Sequence, residues 1–167
     1  NNLTEIDITA TTIEDSAFMG CAKLSTVKLT NVTSIGNRSF MGCVRLNSFV
    51  NSVVEYIGDF AFCDCKNIET LDLPAVKSIG KYAFDDCSNI TEINIPEGIT
   101  TIEEYAFSSC SSLTEIIIPD SVTSIEEWAF SGCSKLSNVI FGDKITTIGD
   151  SAFFCCGLTE IIIPDSV

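Results

Sequence analysis

Ile125-Glu-Glu-Trp128-Ala129-Phe130-Ser-Gly132-Cys133 is one copy of a frame that returns seven times along the chain: Ile, three residues, Ala, Phe, two residues, Cys. Ser39 stands in place of Ala in one copy. The Phe–Cys pairs are Phe18/Cys21, Phe40/Cys43, Phe62/Cys65, Phe84/Cys87, Phe107/Cys110, Phe130/Cys133 and Phe153/Cys156. Copies are 22 residues apart up to Phe84 and 23 from there on. A constant period of this length is the signature of a solenoid, in which each coil buries its apolar face against its neighbours and not in a core of its own.

The coil beginning at Leu113 shows how one period folds. Leu113-Thr-Glu-Ile116-Ile117-Ile118-Pro119 alternates and is rich in β-branched residues, which predicts a short strand with Ile116 and Ile118 turned inward. Pro74, Pro96, Pro119 and Pro164 recur just past these strands, where no ladder N–H is required. Asp120-Ser121 predicts a turn, and Val122 with Ile125 a second short extended or turn segment. Ile125, Ala129, Phe130, Cys133 and Leu136 then fall at intervals of 4, 1, 3 and 3, which predicts a short helix with Glu126 and Glu127 in its first turn. Stacking the coils builds an aromatic spine from the Phe residues, each contributing about 1.5–3 kcal/mol by burial.

The pattern Leu113-x-x-Ile116-x-Ile118 matches the opening of the leucine-rich repeat, and its continuation, Val122-x-x-Ile125-x-x-x-Ala129-Phe130-x-x-Cys133, resembles the BspA-like leucine-rich repeat family over essentially the whole chain. The resemblance implies an α/β fold: a leucine-rich-repeat solenoid of 22–23-residue coils, with a parallel sheet of short strands on the concave side and short helices or turns on the other. It also implies display on the surface of host-associated bacteria or protozoan parasites, or secretion, and adhesion to host proteins. On this reading residues 1–167 form a single solenoid of about seven coils with partial coils at both ends, a piece of a longer protein.

Two departures from the repeat stand out. Asn51 takes the inward slot held elsewhere by Leu29, Leu73, Ile95 and Ile118, so it must find a hydrogen-bond partner or end its strand early. Only Gly157 separates Cys156 from Leu158, which predicts a helix tightened or ended at that point.

Seven cysteines occupy one slot per coil. Parallel stacking aims their Cβ vectors the same way, poor geometry for bridging, and predicts a ladder of reduced, buried thiols. Cys63 and Cys155 lie off that ladder, and Cys63-Asp-Cys65 and Cys155-Cys156 have neither the spacing nor the second pair of a zinc site. No metal or other cofactor is expected. The chain has no His, no Gly-x-Ser-x-Gly elbow and no phosphate loop, so a catalytic role is not expected. The recurring pairs Glu103-Glu104 and Glu126-Glu127 follow the repeat, whereas a catalytic pair needs a unique setting. Asn-x-Ser/Thr occurs at Asn2, Asn31, Asn37 and Asn89, which matters only in an exported eukaryotic protein.

The net charge is −14, and from Tyr82 to Ser134 there is no Lys or Arg. Nucleic acid and anionic membranes are therefore excluded as partners; a solvated acidic surface and a docking face for a basic partner both remain. Two rows of residues break the polar pattern. The first is the outward position of each strand: Asp7, Lys28, Val50, Asp72, Asn94, Ile117, Ile140 and Ile162. Its last three members form an apolar run rimmed by Glu115, Asn138 and Glu160, which marks contact with a protein partner or burial against another copy or further coils. The second row precedes the Ala: Ser16, Arg38, Phe60, Tyr82, Tyr105, Trp128 and Ser151, either a contact surface or a shield over the coil edge. The sequence thus points to a non-catalytic protein-binding module with its site at Ile117, Ile140, Ile162, Glu115, Asn138 and Glu160. Its partner is a protein such as a host extracellular component, or a second copy meeting the apolar patch or an open end. The alternative is a structural spacer or self-assembling array with no ligand.

Overall fold

The computed structural model describes residues 2–51 and 53–167, the side chain of Val50 excepted. Among these described residues thirteen short strands follow in order: Glu5–Thr9 (β1), Thr12–Ile13 (β2), Thr26–Thr30 (β3), Ser34–Ile35 (β4), Ser48–Val50 (β5), Tyr56–Ile57 (β6), Thr70–Asp72 (β7), Ser78–Ile79 (β8), Thr101–Ile102 (β9), Glu115–Ile117 (β10), Ser124–Ile125 (β11), Asn138–Ile140 (β12) and Thr147–Ile148 (β13). Every pairing is parallel, each strand meeting its counterpart in the next coil. The chain is a parallel β-solenoid whose coils have three walls. The first wall carries β1-β3, β5-β7 and β10-β12; the second carries β2-β4-β6-β8 and β9-β11-β13. The third, from the Ile to the Cys of each repeat, is made of turns.

That third wall corrects the helix expected from sequence: among the described residues there is no α-helix. In a helix each N–H would bond to the carbonyl four residues back. Here alternate N–H groups reach only three back, as in Ser131 N to Trp128 O (3.0 Å) and Cys133 N to Phe130 O (3.3 Å). The groups between them cross to the next coil: Trp128 N to Asp150 O (3.0 Å), Phe130 N to Ala152 O (2.8 Å) and Gly132 N to Phe154 O (2.8 Å). Two residues per coil take a left-handed backbone to allow this, Trp128 at φ 58° and Gly132 at φ 74° in this one. Tandem turns return a side chain inward about every third residue, so they satisfy the same 4-1-3-3 apolar spacing as a helix. Sequence spacing alone does not separate the two. Glu126 and Glu127 are turn residues with specific partners, the Ser124 hydroxyl and the Trp128 indole N–H (2.6 Å).

The spine is as expected. Phe40, Phe62, Phe84, Phe107 and Phe130 are fully buried and stack face to face with Phe18 and Phe153 at the ends. Centroid spacings are 5.2–5.3 Å from Phe18 to Phe84. They rise to 5.5–5.6 Å from Phe84 to Phe153. Cys43, Cys63, Cys65, Cys87, Cys110, Cys133, Cys155 and Cys156 are free thiols. From Cys43 onward each ladder thiol donates to the carbonyl of the Phe one coil back, for example Cys65 to Phe40 O (3.1 Å) and Cys87 to Phe62 O (3.2 Å). The same carbonyl already accepts a backbone N–H, as Phe40 O does from Cys43 N (3.0 Å). The thiol thus satisfies a second buried lone pair while filling an apolar slot. Burial pushes the Cys43 thiol up to about 12 and holds Cys65 and Cys87 well above the ordinary thiol range.

Both departures from the repeat have local explanations. β5 ends at Val50, and the buried Asn51 turns its side-chain oxygen onto the N–H groups of Val53 and Val54, both at 3.0 Å. Gly157 ends no helix. A Cβ there would lie 2.6 Å from the carbonyl oxygen of Ser134, so close coil contact demands the glycine.

The change of period leaves a seam. The extra residue enters between the first and second walls: two residues separate Leu73 from Val76, and three separate Ile95 from Ile99. At this place the second wall divides, β8 closing one sheet and β9 opening the other. Among the described residues the first wall has no extended strand pairing there: it carries the isolated bridges Thr70 to Glu92 and Asn94 to Ile117, with a long Thr91 N to Glu69 O bond of 3.5 Å. The turn wall and the spine run through uninterrupted, with Phe84 N to Ala106 O at 2.9 Å and Phe84 stacked on Phe107 at 5.6 Å.

Candidate binding face

The outward row of the first wall is where the sequence places contact. Register sets Asp7 beside Lys28 and Ile117 beside Ile140. Asp7, Lys28, Asp72 and Asn94 are exposed, while the side chain of Val50 lies outside the described residues. Ile117 is 55% exposed between Ile116 and Ile118, each at 1%. Ile140 is 46% exposed. The rim residues Glu115 and Asn138 pair in register, and the Asn138 amide donates to the Glu115 carboxylate. These four residues form one ordered patch. Ile162 and Glu160 are exposed but lie in a segment outside the strands. Ile161 and Ile163, which the repeat predicts to be inward, are exposed as well; the alternation that reads as "inward" holds only where a following coil covers it.

Beside this patch, at the seam, sequence reading passed over a depression. Three adjoining cavities of about 370, 260 and 400 Å³ meet at Asn94. Glu92 and Glu115 line the first, Asp72 and Glu92 the second, and Pro74, Pro119 and Glu97 the third, with Ile117 shared by the first and third. The signal available in sequence was the step from 22 to 23 residues, which marks the place where the strands lose register.

The aromatic row forms a column, not a platform. Phe60, Tyr82 and Tyr105 stack at 4.5 Å, and Trp128 continues the stack at 5.9 Å. The Arg38 guanidinium covers one end, 5.1 Å from the Phe60 centroid, and Phe154 meets Trp128 edge-on. The ring faces are consumed by one another. All four aromatics hold φ of 55–58°, a conformation that costs a non-glycine residue about 1 kcal/mol and which the stacking offsets.

On the same wall Cys63 lies 3.9 Å from Asp85, and burial pushes its thiol up to about 12 and raises the Asp85 carboxyl. Lys66 spans Asp64 (3.0 Å) and Asp86 (3.1 Å). Among the described residues no group of three or more Cys, Asp or Glu is placed to hold a metal ion, and no helix is long and apolar enough to cross a membrane.

The sequence profile described as "BspA type Leucine rich repeat region" matches in six copies, over residues 1–75 and 55–167. The chain belongs to the BspA-type leucine-rich-repeat family. No curated protein sequence matches it. Among solved structures, this BspA-type solenoid is similar to a leucine-rich repeat protein from Bacteroides ovatus, at 26% identity and TM-score 0.73, covering 98% of this chain and 52% of that one. It is also similar to the T. pallidum leucine-rich repeat protein at 22% identity and TM-score 0.80, covering 89% and 74% of the two chains. The pneumococcal vaccine antigen PcpA matches at 20% identity and TM-score 0.58, covering 99% and 62%. The BspA-type solenoid therefore spans about half the length of the Bacteroides ovatus protein.

Proposed function

We propose that this BspA-type solenoid is a non-catalytic protein-binding module, one domain of a longer surface-displayed or secreted polypeptide, and that it works by adhesion to an extracellular protein of a host. The observation that carries the reading is the paired, exposed Ile117 and Ile140 on adjacent strands, bordered by the hydrogen-bonded Glu115 and Asn138. An apolar centre with a polar rim on a rigid sheet is how protein contact surfaces are built. By the repeat, Ile162 and Glu160 continue the same row beyond the paired strands. The fold and family support a protein-interaction role, and the similarity to a pneumococcal vaccine antigen fits display outside the cell. The test replaces Ile117, Ile140 and Ile162 together by Thr, which keeps β-branching and hence the strands. Against a panel of extracellular host proteins, binding falls more than tenfold, about 1.4 kcal/mol, and any self-association in sedimentation falls with it. A partner bound equally by wild type and variant removes this patch as the site.

A further inference from the structure

We infer that the depression at the seam seats an extended segment of the protein partner in which basic and apolar residues alternate. This inference rests on the protein-binding reading above and supplies the chemistry of the partner. The two sides of the depression differ. One carries the carboxylates of Asp72, Glu92 and Glu115; the other carries Pro74, Pro119 and the exposed flank of Ile117, with Glu97 among them. All four carboxylates are exposed, and among the described residues none pairs with a Lys or Arg of the chain. Elsewhere the same wall neutralises itself: Lys28 meets Glu5 at 3.7 Å in the adjacent coil. At the seam no such pair is formed among the described residues: the chain carries no Lys or Arg from Tyr82 to Ser134, and Lys77 on the near side is engaged by Glu55 at 2.9 Å.

Geometry narrows the occupant. The cavities run across the strands, from Thr70 past Asn94 to Ile117, so a ligand lying in them meets a fresh carboxylate at each coil, about 4.8 Å apart. A chain in extended conformation sends alternate side chains to opposite sides. With basic residues toward Glu92 and Glu115, the intervening side chains face Pro74, Pro119 and Ile117 and cover them. A purely cationic ligand leaves that apolar side wet, and a purely apolar one buries four unpaired carboxylates at high cost. Charge and shape together select the alternating segment.

The experiment uses a blocked ten-residue peptide of alternating lysine and valine, titrated into the protein by fluorescence anisotropy at two salt concentrations. Expected is saturable binding, weakened as salt rises, and weakened at least tenfold in Glu92→Gln/Glu97→Gln/Glu115→Gln. Those substitutions each keep one side-chain oxygen, which at position 115 can still accept from Asn138. A second variant, Asn94→Lys, sets a cation where the three cavities meet and is expected to abolish binding; circular dichroism and melting verify that both variants fold. Absence of saturable binding to wild type, unchanged binding by the Gln variant, or equal binding of a lysine–glycine peptide overturns the inference. A protein partner lost by the Ile variant but held unchanged by the Gln variant overturns it too, while leaving the protein-binding reading intact.

Discussion

Replacing Phe84 by Ala removes a ring that is fully buried between Phe62 at 5.3 Å and Phe107 at 5.6 Å, both within 1° of parallel. Of the 150 Å² or more that a buried Phe covers, Ala gives up roughly 120 Å², which at about 25 cal/mol per Å² is about 3 kcal/mol. Two lost ring contacts add about 0.5–1.5 kcal/mol each, and partial collapse of the cavity returns some of it. The net expectation is a loss of about 4 kcal/mol. Position matters as well as amount. Phe84 and Phe107 carry the spine across the seam, where the second wall is divided and the first, among the described residues, carries isolated bridges in place of paired strands. Nearest-neighbour coupling holds a solenoid together, so weakening this one interface uncouples the coils on either side. Urea denaturation followed by circular dichroism therefore shows a broadened or two-step transition for Phe84→Ala. Phe40→Ala, equally buried but within the 22-residue stack, loses similar stability in a single step. A loss below about 1 kcal/mol at Phe84 refutes the spine, and identical transition shapes for the two variants refute the weakness assigned to the seam.

Two further outcomes test the turn wall and the thiol ladder. Ser151 is exposed at φ 54°, so Ser151→Gly is expected to be more stable than Ser151→Ala by about 1 kcal/mol in thermal melts; a helix start gives the reverse order. In native protein near pH 8, iodoacetamide followed by mass mapping modifies the exposed Cys155 first. It leaves Cys43, Cys65, Cys87, Cys110 and Cys133 largely intact, since burial shields them and keeps thiols such as Cys43, at about 12, protonated; rapid modification of any of the five refutes the ladder.

Architecture was legible because period and slot are properties of the sequence itself. The recurrence of Phe and Cys placed the spine and the thiols, and alternation around Ile116, Ile117 and Ile118 placed two residues inward and one outward, as found at 1%, 55% and 1% exposure. What stayed hidden lay in the backbone. Trp128, Tyr105, Tyr82 and Phe60 hold positive φ although aromatics rarely do, and only the bonds to the next coil reveal why. The acceptor for each thiol is a main-chain carbonyl, which has no residue type to read. The patch at Ile117 and Ile140 followed from the repeat; the neighbouring depression did not, because a sheet that loses register is visible only in three dimensions.

The turn wall has a consequence for how such a chain grows. In each coil that has another ahead of it, the N–H groups of alternate turn residues bond to carbonyls of that next coil, as Ser16, Phe18 and Gly20 bond to Asn37, Ser39 and Met41. A coil's donors thus match the acceptors of any coil built like it, and duplicating one within a run of equal period leaves no group orphaned. Gene-level expansion or contraction by whole repeats is nearly free of structural penalty inside either run. A 22-residue coil copied into the 23-residue run brings the wrong turn between its first two walls. It lacks the residue that Gly98 supplies, whose Cβ position lies 2.9 Å from the carbonyl oxygen of Val76. Length can drift; period has to be inherited from the neighbour.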